Sequence, residues 1–174
     1  MFKFGLPLYN LKVTTGNIVP SQTGENKMAQ SQISRRQERF LEATNYATFA
    51  RNQPLYMNKS VGTPLSPYNW AVADYFGIPE VLEVDLTQRA RNAGPTILIK
   101  ATDNIMVLSV RVVIWDGTDG ENALEEGEAV QSETDGLLWT YTVHSPLHSK
   151  TGTRLDVFAM DLPGNVGGYS LELM

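Results

Sequence analysis

Apolar and polar residues alternate in short runs through the second half of the chain, a pattern that predicts β-strands. Seven such runs lie within residues 80–174, and each has the two-residue period of a strand that buries one face. Turn signals such as Asp135-Gly136 and Gly167-Gly168 separate the runs. The pattern predicts a domain over residues 80–174 that is built as an antiparallel β-sandwich of seven strands.

The inward faces of these strands are predicted to form the core. Trp139 and Tyr141 of the fifth strand are expected to point inward, whereas Trp115 of the third strand is expected on an outer face. The inward residues of the first and third strands are expected to be Leu82, Val84, Leu86, Leu108, Val110, Val112 and Ile114.

Residues 29–79 are predicted to form a helical segment ahead of the strands. Gly and Pro are absent from Ser31 to Arg51, and the apolar residues there recur near helical spacing, which fits one helix of about five turns. A second helix is expected to begin after Ser66, a favourable N-cap residue that Pro67 follows, and to end at Gly77. The apolar positions expected to face the core are Ile33, Phe40, Leu41, Ala47, Ala50, Tyr68, Ala71, Val72, Tyr75 and Phe76.

Residues 1–28 are predicted to be an extended arm and linker. Apolar side chains occupy alternate positions of the arm, at Phe2, Phe4, Leu6 and Leu8. Their burial would contribute about 6–12 kcal/mol before ordering costs, so we expect the arm to pack against protein. Two alternatives stay open: the arm adds a strand to its own sandwich, or it adds one to a neighbouring subunit.

Composition and charge exclude several classes of function. The net charge is −5 and no block of Lys or Arg could neutralise a run of phosphates, so nucleic-acid binding is not expected. The chain has no Cys, which excludes disulfides and thiolate metal sites. No apolar run reaches transmembrane length, and the apolar N-terminus lacks a signal-peptide cleavage site. We therefore expect no membrane insertion, and a location in the cytoplasm or in an assembled particle.

Three short segments carry a resemblance to a known family. They are Ala101-Thr102-Asp103-Asn104, Trp139-Thr140-Tyr141 and Ala159-x-Asp161-x-x-Gly164-Asn165. Residues 80–174 thereby resemble the bacterial Ig-like (Big-type) domains of surface proteins and adhesins. The whole chain resembles uncharacterised bacterial proteins in which a helical segment precedes one such domain. The resemblance implies an Ig-like or fibronectin-III-like sandwich. It also implies an extracellular location, whereas the N-terminal sequence, which lacks a signal-peptide cleavage site, favours the cytoplasm or an assembled particle.

The loops of such a sandwich suggest a cation site. In an Ig-like fold the loops after the second, fourth and sixth strands gather at one pole. In this chain those loops carry Asp103, Asp135, Asp161 and Asn165. Close carboxylates repel unless backbone N–H groups or a hard cation such as calcium neutralise them, and the resemblance implies that calcium is one such cation. Two interpretations stay open: a calcium site, or Asx turns at strand ends.

Two tryptophans are candidates for ligand stacking. Trp115 and Trp70 are expected either to stack on a sugar ring of a glycan or to pack between segments of the chain. Stacking would make the protein a recognition module, and packing would give both rings a structural role.

The sequence contains no motif of an enzyme. Pro146 lies between the two histidines, His144 and His148, and disfavours a helix that would aim both at one metal. Phosphate loops, zincin motifs and nucleophile elbows are absent from the sequence. We therefore expect a non-enzymatic structural subunit that assembles with itself or with another protein through the arm. The alternative is a recognition module that binds a protein or glycan, with or without calcium, through the loops at one pole.

Overall fold

The computed structural model describes residues 23–86, 95–116, 123–144 and 153–173, with side chains from residue 31 to residue 172 of these ranges. Within these ranges lie three helices, α1 (Thr23–Ala50), α2 (Pro54–Ser60) and α3 (Pro67–Phe76). The strands that follow are β1 (Glu80–Asp85), β2 (Thr96–Thr102), β3 (Val107–Trp115), β4 (Ala123–Glu128), β5 (Val130–Gln131), β6 (Leu138–Thr142), β7 (Thr153–Asp161) and β8 (Val166–Leu173). The chain comprises two compact units, Met1–Arg39 and Phe40–Met174, and the boundary falls inside α1.

The strands of the second unit form two antiparallel sheets with the orders β1-β2-β6-β5 and β4-β3-β7-β8. One apolar cluster contains residues of both sheets, among them Ile97 and Trp139 from the first and Val110 and Val157 from the second. The mainly β architecture is therefore as predicted, but the described strands number eight rather than seven. The predicted fourth strand is divided at Ala129, because β4 pairs with β3 whereas β5 pairs with β6 in the other sheet.

Two β-bulges change which residues face the core. A register shift between Val107 and Ser109 turns Val107 inward and leaves Leu108 exposed, so the predicted inward position of Leu108 is wrong. A similar shift between Val81 and Glu83 buries Val81 instead of Leu82. The predicted inward positions of Val110, Val112, Ile114, Trp139 and Tyr141 are confirmed.

The ends of α3 follow the predicted local chemistry. Ser66 is the N-cap residue, and its Oγ accepts a hydrogen bond from Asn69 N at 3.2 Å. Pro67 occupies the first turn, and the N–H of the C-cap residue Gly77 donates to Ala73 O at 2.9 Å. The start of α1 differs more from the prediction, since the helix begins at Thr23, inside the predicted linker. The arm residues Phe2, Phe4, Leu6 and Leu8 lie outside the described residues.

The part of α1 in the second unit buries its small residues rather than its large ones. Ala43, Ala47 and Ala50 are buried, whereas Phe40 and Leu41 are exposed, which contradicts their predicted burial. Tyr56 of α2, a helix that the sequence pattern did not predict, joins Ala47 and Ala50 of α1 and Ala71 of α3 in a second apolar cluster. Two loop residues that follow β2 and β7, Ile105 and Leu162, pack against this cluster. The helices therefore cover the end of the sheets where these two loops lie.

The segment between α3 and β1 passes very close to β8. A Cβ atom on Gly167 would lie 1.7 Å from the carbonyl oxygen of Pro79, so only glycine allows this approach. The contact fixes the point at which the helical segment joins the sheets. None of the helices in the described part of the chain is long and apolar enough to cross a membrane.

Candidate metal centre

Three carboxylates meet where α3 lies against the loops. Asp74 belongs to α3, Asp103 to the loop after β2, and Asp161 to the end of β7. Each contributes one oxygen to a group in which all three oxygens lie within 4.8 Å of one another. Asp74 and Asp161 are fully buried, and Asp103 is half-buried. We call this group the carboxylate cluster.

Helical spacing brings Asp74 into the cluster. Asp74 follows Ala71 by three residues, so both side chains lie on the same face of α3, and both are fully buried. Its Oδ2 accepts a hydrogen bond from the Tyr56 hydroxyl at 2.5 Å, and the Tyr56 hydroxyl lies 2.6 Å from that of Tyr46. Its Oδ1 is buried without a hydrogen-bond partner.

Asp161 closes a turn at the end of β7. Its Oδ1 accepts hydrogen bonds from Gly164 N at 2.8 Å and Asn165 N at 2.6 Å, and its Oδ2 accepts from Asn165 Nδ2 at 2.7 Å. Gly164 has φ of 95°, a conformation that favours glycine. The Asx-turn interpretation therefore accounts for both oxygens of Asp161. The same Asn165 amide donates to Tyr75 O at 3.2 Å and so connects this loop to α3.

Asp103 closes a second turn but keeps one oxygen unused. Its Oδ2 accepts from Ile105 N at 3.0 Å and Met106 N at 3.1 Å, whereas its Oδ1 is buried without a partner. The adjacent Asn104 Nδ2 donates to Ala73 O at 3.0 Å. Both loops of the cluster thus also bind carbonyl groups in the last turn of α3, where a helix has few backbone donors of its own.

The electrostatics of the cluster disfavour three free carboxylates. Burial raises the pKa of Asp74 to about 7; the Tyr56 hydrogen bond opposes this rise, and the charges of Asp103 and Asp161 and a hydrogen bond with the Asp103 carboxyl group add to it. Burial also raises the pKa of Tyr56 and that of Tyr46, which stay uncharged. None of the ion pairs among the described residues involves the cluster. Its charge therefore has to be reduced by a proton or by a cation.

The structure brings together three of the four residues that the sequence predicted for a calcium site. Asp103, Asp161 and Asn165 converge, whereas Asp135 does not join them. Asp135 lies in the turn before β6, where its Oδ1 accepts from Leu137 N at 3.0 Å, and its side chain borders a groove that also contains Lys100. Asp74 replaces it. Sequence reasoning missed Asp74, although its spacing from Ala71 placed it on the buried face of α3.

The two tryptophans proposed for ligand stacking already contact neighbouring side chains. Trp115 Nε1 donates to Asp156 Oδ2 at 2.7 Å, and the Arg154 guanidinium lies 5.1 Å from the centre of its ring. Trp70 Nε1 donates to Thr63 Oγ1 at 3.1 Å, and Lys59 Nζ lies 5.3 Å from its ring centre. Both rings are half-buried, which favours packing over ligand stacking.

The side chains of the cluster offer oxygen ligands, the kind that hard cations such as calcium and magnesium bind in proteins. No protein-family model matches the chain, and no curated protein matches it in sequence. The chemistry of the site therefore rests on its own residues.

Proposed function

We propose that this protein is a non-enzymatic assembly subunit, in which an Ig-like sandwich carries a helical surface that binds copies of the same chain. The sheet orders support the Ig-like assignment. They correspond to strands A, B, E and D in one sheet and to strands C′, C, F and G in the other, if β1 to β8 are lettered in chain order. Such sandwiches serve as scaffolds, so the function has to be argued from the surface they carry.

The observation that carries the proposal is the orientation of α1 in the second unit. Leu41 and Phe49 are 60% and 82% exposed, while the alanines at 43, 47 and 50 are buried. Leu41 and Phe49 are about two turns apart on a face that points away from the alanines. Phe40, which is 57% exposed, lies on the alanine side of the helix and is not part of that face. A helix usually buries its large apolar residues and exposes its small or polar ones. The reverse arrangement supports a second partner for this face.

A second copy of the chain is the partner that the sequence supports best. The arm has apolar residues at alternate positions, Phe2, Phe4, Leu6 and Leu8, a pattern that suits strand addition to a sheet edge of a neighbouring subunit. A closed oligomer would bury the exposed face of α1 in every subunit.

The proposal is tested by the mass of the protein in solution. Light scattering on a sizing column should give a defined oligomer for the full chain and a monomer for the double variant Leu41→Glu, Phe49→Glu. A chain that starts at Thr23 keeps α1 whole and lacks the arm, so a loss of assembly in that chain would assign the subunit contact to the arm.

Val130→Glu is the matched control. Val130 is 73% exposed on β5, an edge strand far in sequence from α1, and its replacement introduces one glutamate, against two in the double variant, at another apolar surface position. The control should assemble like the wild type. A monomeric full chain, or equal effects of both substitutions, would contradict self-assembly through α1.

The alternative of a recognition module has less support from the geometry. In a recognition module the acidic side chains at the loop pole would have to contact the partner, either directly or through a cation that the partner also binds. Asp161 is fully buried and so cannot make such a contact. Trp115 and Trp70 are engaged with Arg154 and Lys59. A change in tryptophan fluorescence on addition of any member of a glycan panel would favour this alternative.

A further inference from the structure

We propose that the carboxylate cluster binds one hard divalent cation, with calcium as the expected ion, and that this cation joins α3 to the loops after β2 and β7. The inference does not depend on self-assembly. It differs from the site predicted by sequence, because its decisive ligand, Asp74, comes from the helical segment and Asp135 takes no part.

The first support is the pair of unused oxygens. Asp74 Oδ1 and Asp103 Oδ1 are both buried, and neither has a hydrogen-bond partner. Buried polar atoms in folded proteins nearly always have a partner, so these two oxygens need either a proton shared between the Asp74 and Asp103 carboxyl groups, which lie within hydrogen-bond reach of each other, or a ligand between them. Asp74 is fully buried, and one of its carboxylate oxygens lies within 4.8 Å of an oxygen of Asp103 and an oxygen of Asp161.

The second support is the way in which the other oxygens are held. Tyr56 fixes Asp74 Oδ2, and backbone N–H groups fix Asp103 Oδ2 and Asp161 Oδ1. Each carboxylate is thus oriented by a group outside the cluster, as the ligands of protein metal sites usually are. A preformed set of this kind would need little rearrangement to bind an ion.

The ligand chemistry selects the class of cation. The three side chains offer oxygen and no sulfur or imidazole nitrogen, which disfavours zinc and copper. Calcium accepts varied numbers of carboxylate and carbonyl oxygens, whereas magnesium keeps several of its water molecules. Three carboxylates do not complete the shell of either ion, so water on the half-buried side of Asp103 would supply the remaining ligands, and calcium is expected because it tolerates irregular geometry better than magnesium.

The test is cation binding by the full chain. Chelator-treated protein is titrated with calcium and, separately, with magnesium, and binding is followed by calorimetry and by thermal unfolding. One calcium ion per chain is expected. At a calcium concentration about a hundredfold above Kd, Tm should rise by roughly 5–10 °C.

Three variants locate the site. Asp74→Asn and Asp103→Asn should each abolish calcium binding, because each removes an unused oxygen that the ion would occupy. Asp135→Asn removes an exposed acid from a neighbouring turn and should bind calcium as the wild type does. If Asp74→Asn does not fold, Asp103→Asn decides the question.

Two outcomes would overturn the proposal. A wild-type protein with no heat of binding and the same Tm in chelator and in millimolar calcium or magnesium would mean that protons alone neutralise the cluster. Calcium binding that persists in Asp103→Asn, or that is lost in Asp135→Asn, would place the ion elsewhere.

Discussion

Asp74→Asn should make the cation-free protein more stable at neutral and alkaline pH, although it removes a buried hydrogen-bonded residue. The amide has nearly the shape of the carboxyl group and is uncharged. Its oxygen can accept from Tyr56, as Asp74 Oδ2 does, and its nitrogen can donate toward the unused Asp103 Oδ1. The variant thus imitates the protonated form of Asp74.

The size of the effect follows from the pKa of Asp74. Burial raises this pKa from 3.8 to about 7, so the folded state holds a proton that the unfolded state loses between these values. Stability is therefore fully present below about pH 4 and is lost as the pH rises through 7. The complete loss is on the order of 4 kcal/mol, of which roughly 3 kcal/mol falls between about pH 4.5 and pH 8.

Urea unfolding in chelator, followed by tryptophan fluorescence, measures this difference. The free energy of unfolding of wild type minus that of Asp74→Asn should be small near pH 4.5 and should become about 3 kcal/mol more negative by pH 8. The subtraction removes most of the contribution of other titrating groups, since they are common to both proteins. A difference that stays constant with pH, or that changes in the opposite direction, would refute the electrostatic reasoning.

Three further predictions concern the scaffold that holds the cluster. Gly167→Ala should lower the free energy of unfolding by about 3 kcal/mol or more, because the added Cβ would lie 1.7 Å from Pro79 O. Gly168→Ala is the control, since its Cβ would make an ordinary 3.5 Å contact with Phe158. In urea unfolding this control should stay within about 1 kcal/mol of the wild type. Trp139→Ala should lower the free energy of unfolding by about 3–5 kcal/mol, because it removes a large buried side chain. Trp139→Phe should lose clearly less, because the buried Nε1 of Trp139 has no hydrogen-bond partner that the change would remove. Equal losses in the two variants would contradict this account. Ser66→Ala should lose about 1 kcal/mol through its N-cap bond, and Ser66→Asp should retain most of that stability, as unfolding curves would show.

The features that the sequence predicted well depend on local chemistry. The limits of α3 follow from Ser66, Pro67 and Gly77, whose effects reach no further than one turn. The strands with a strict two-residue period, such as β6 with Trp139 and Tyr141 inward, are likewise confirmed.

The features that it predicted poorly depend on contacts between distant residues. The bulges at Val107 and Val81 are set by pairing with partner strands, and one extra residue there reverses the faces of Leu108 and Leu82. The prediction that Asp135 joins the other loop acids failed because the direction of its turn relative to the sheet is not specified by any local sequence pattern. Asp74 was missed for another reason: polar residues on a helix are usually assigned to the solvent face, although its spacing from Ala71 indicated burial.

The burial of two carboxylates beside a half-buried third is unfavourable for folding alone, since apolar side chains of similar volume would avoid both desolvation and mutual repulsion. The cluster nevertheless lies at the place where the helices meet the loops, and Asn104 and Asn165 bind the last turn of α3 from the same two loops. We therefore expect a neutral cluster to hold α3 more firmly than a charged one. Ala71 of α3 and Ala47 of α1 belong to one apolar cluster, so the position of α3 also affects the buried face of α1. A cation at Asp74 would therefore stabilise the arrangement in which Leu41 and Phe49 are presented on the opposite face.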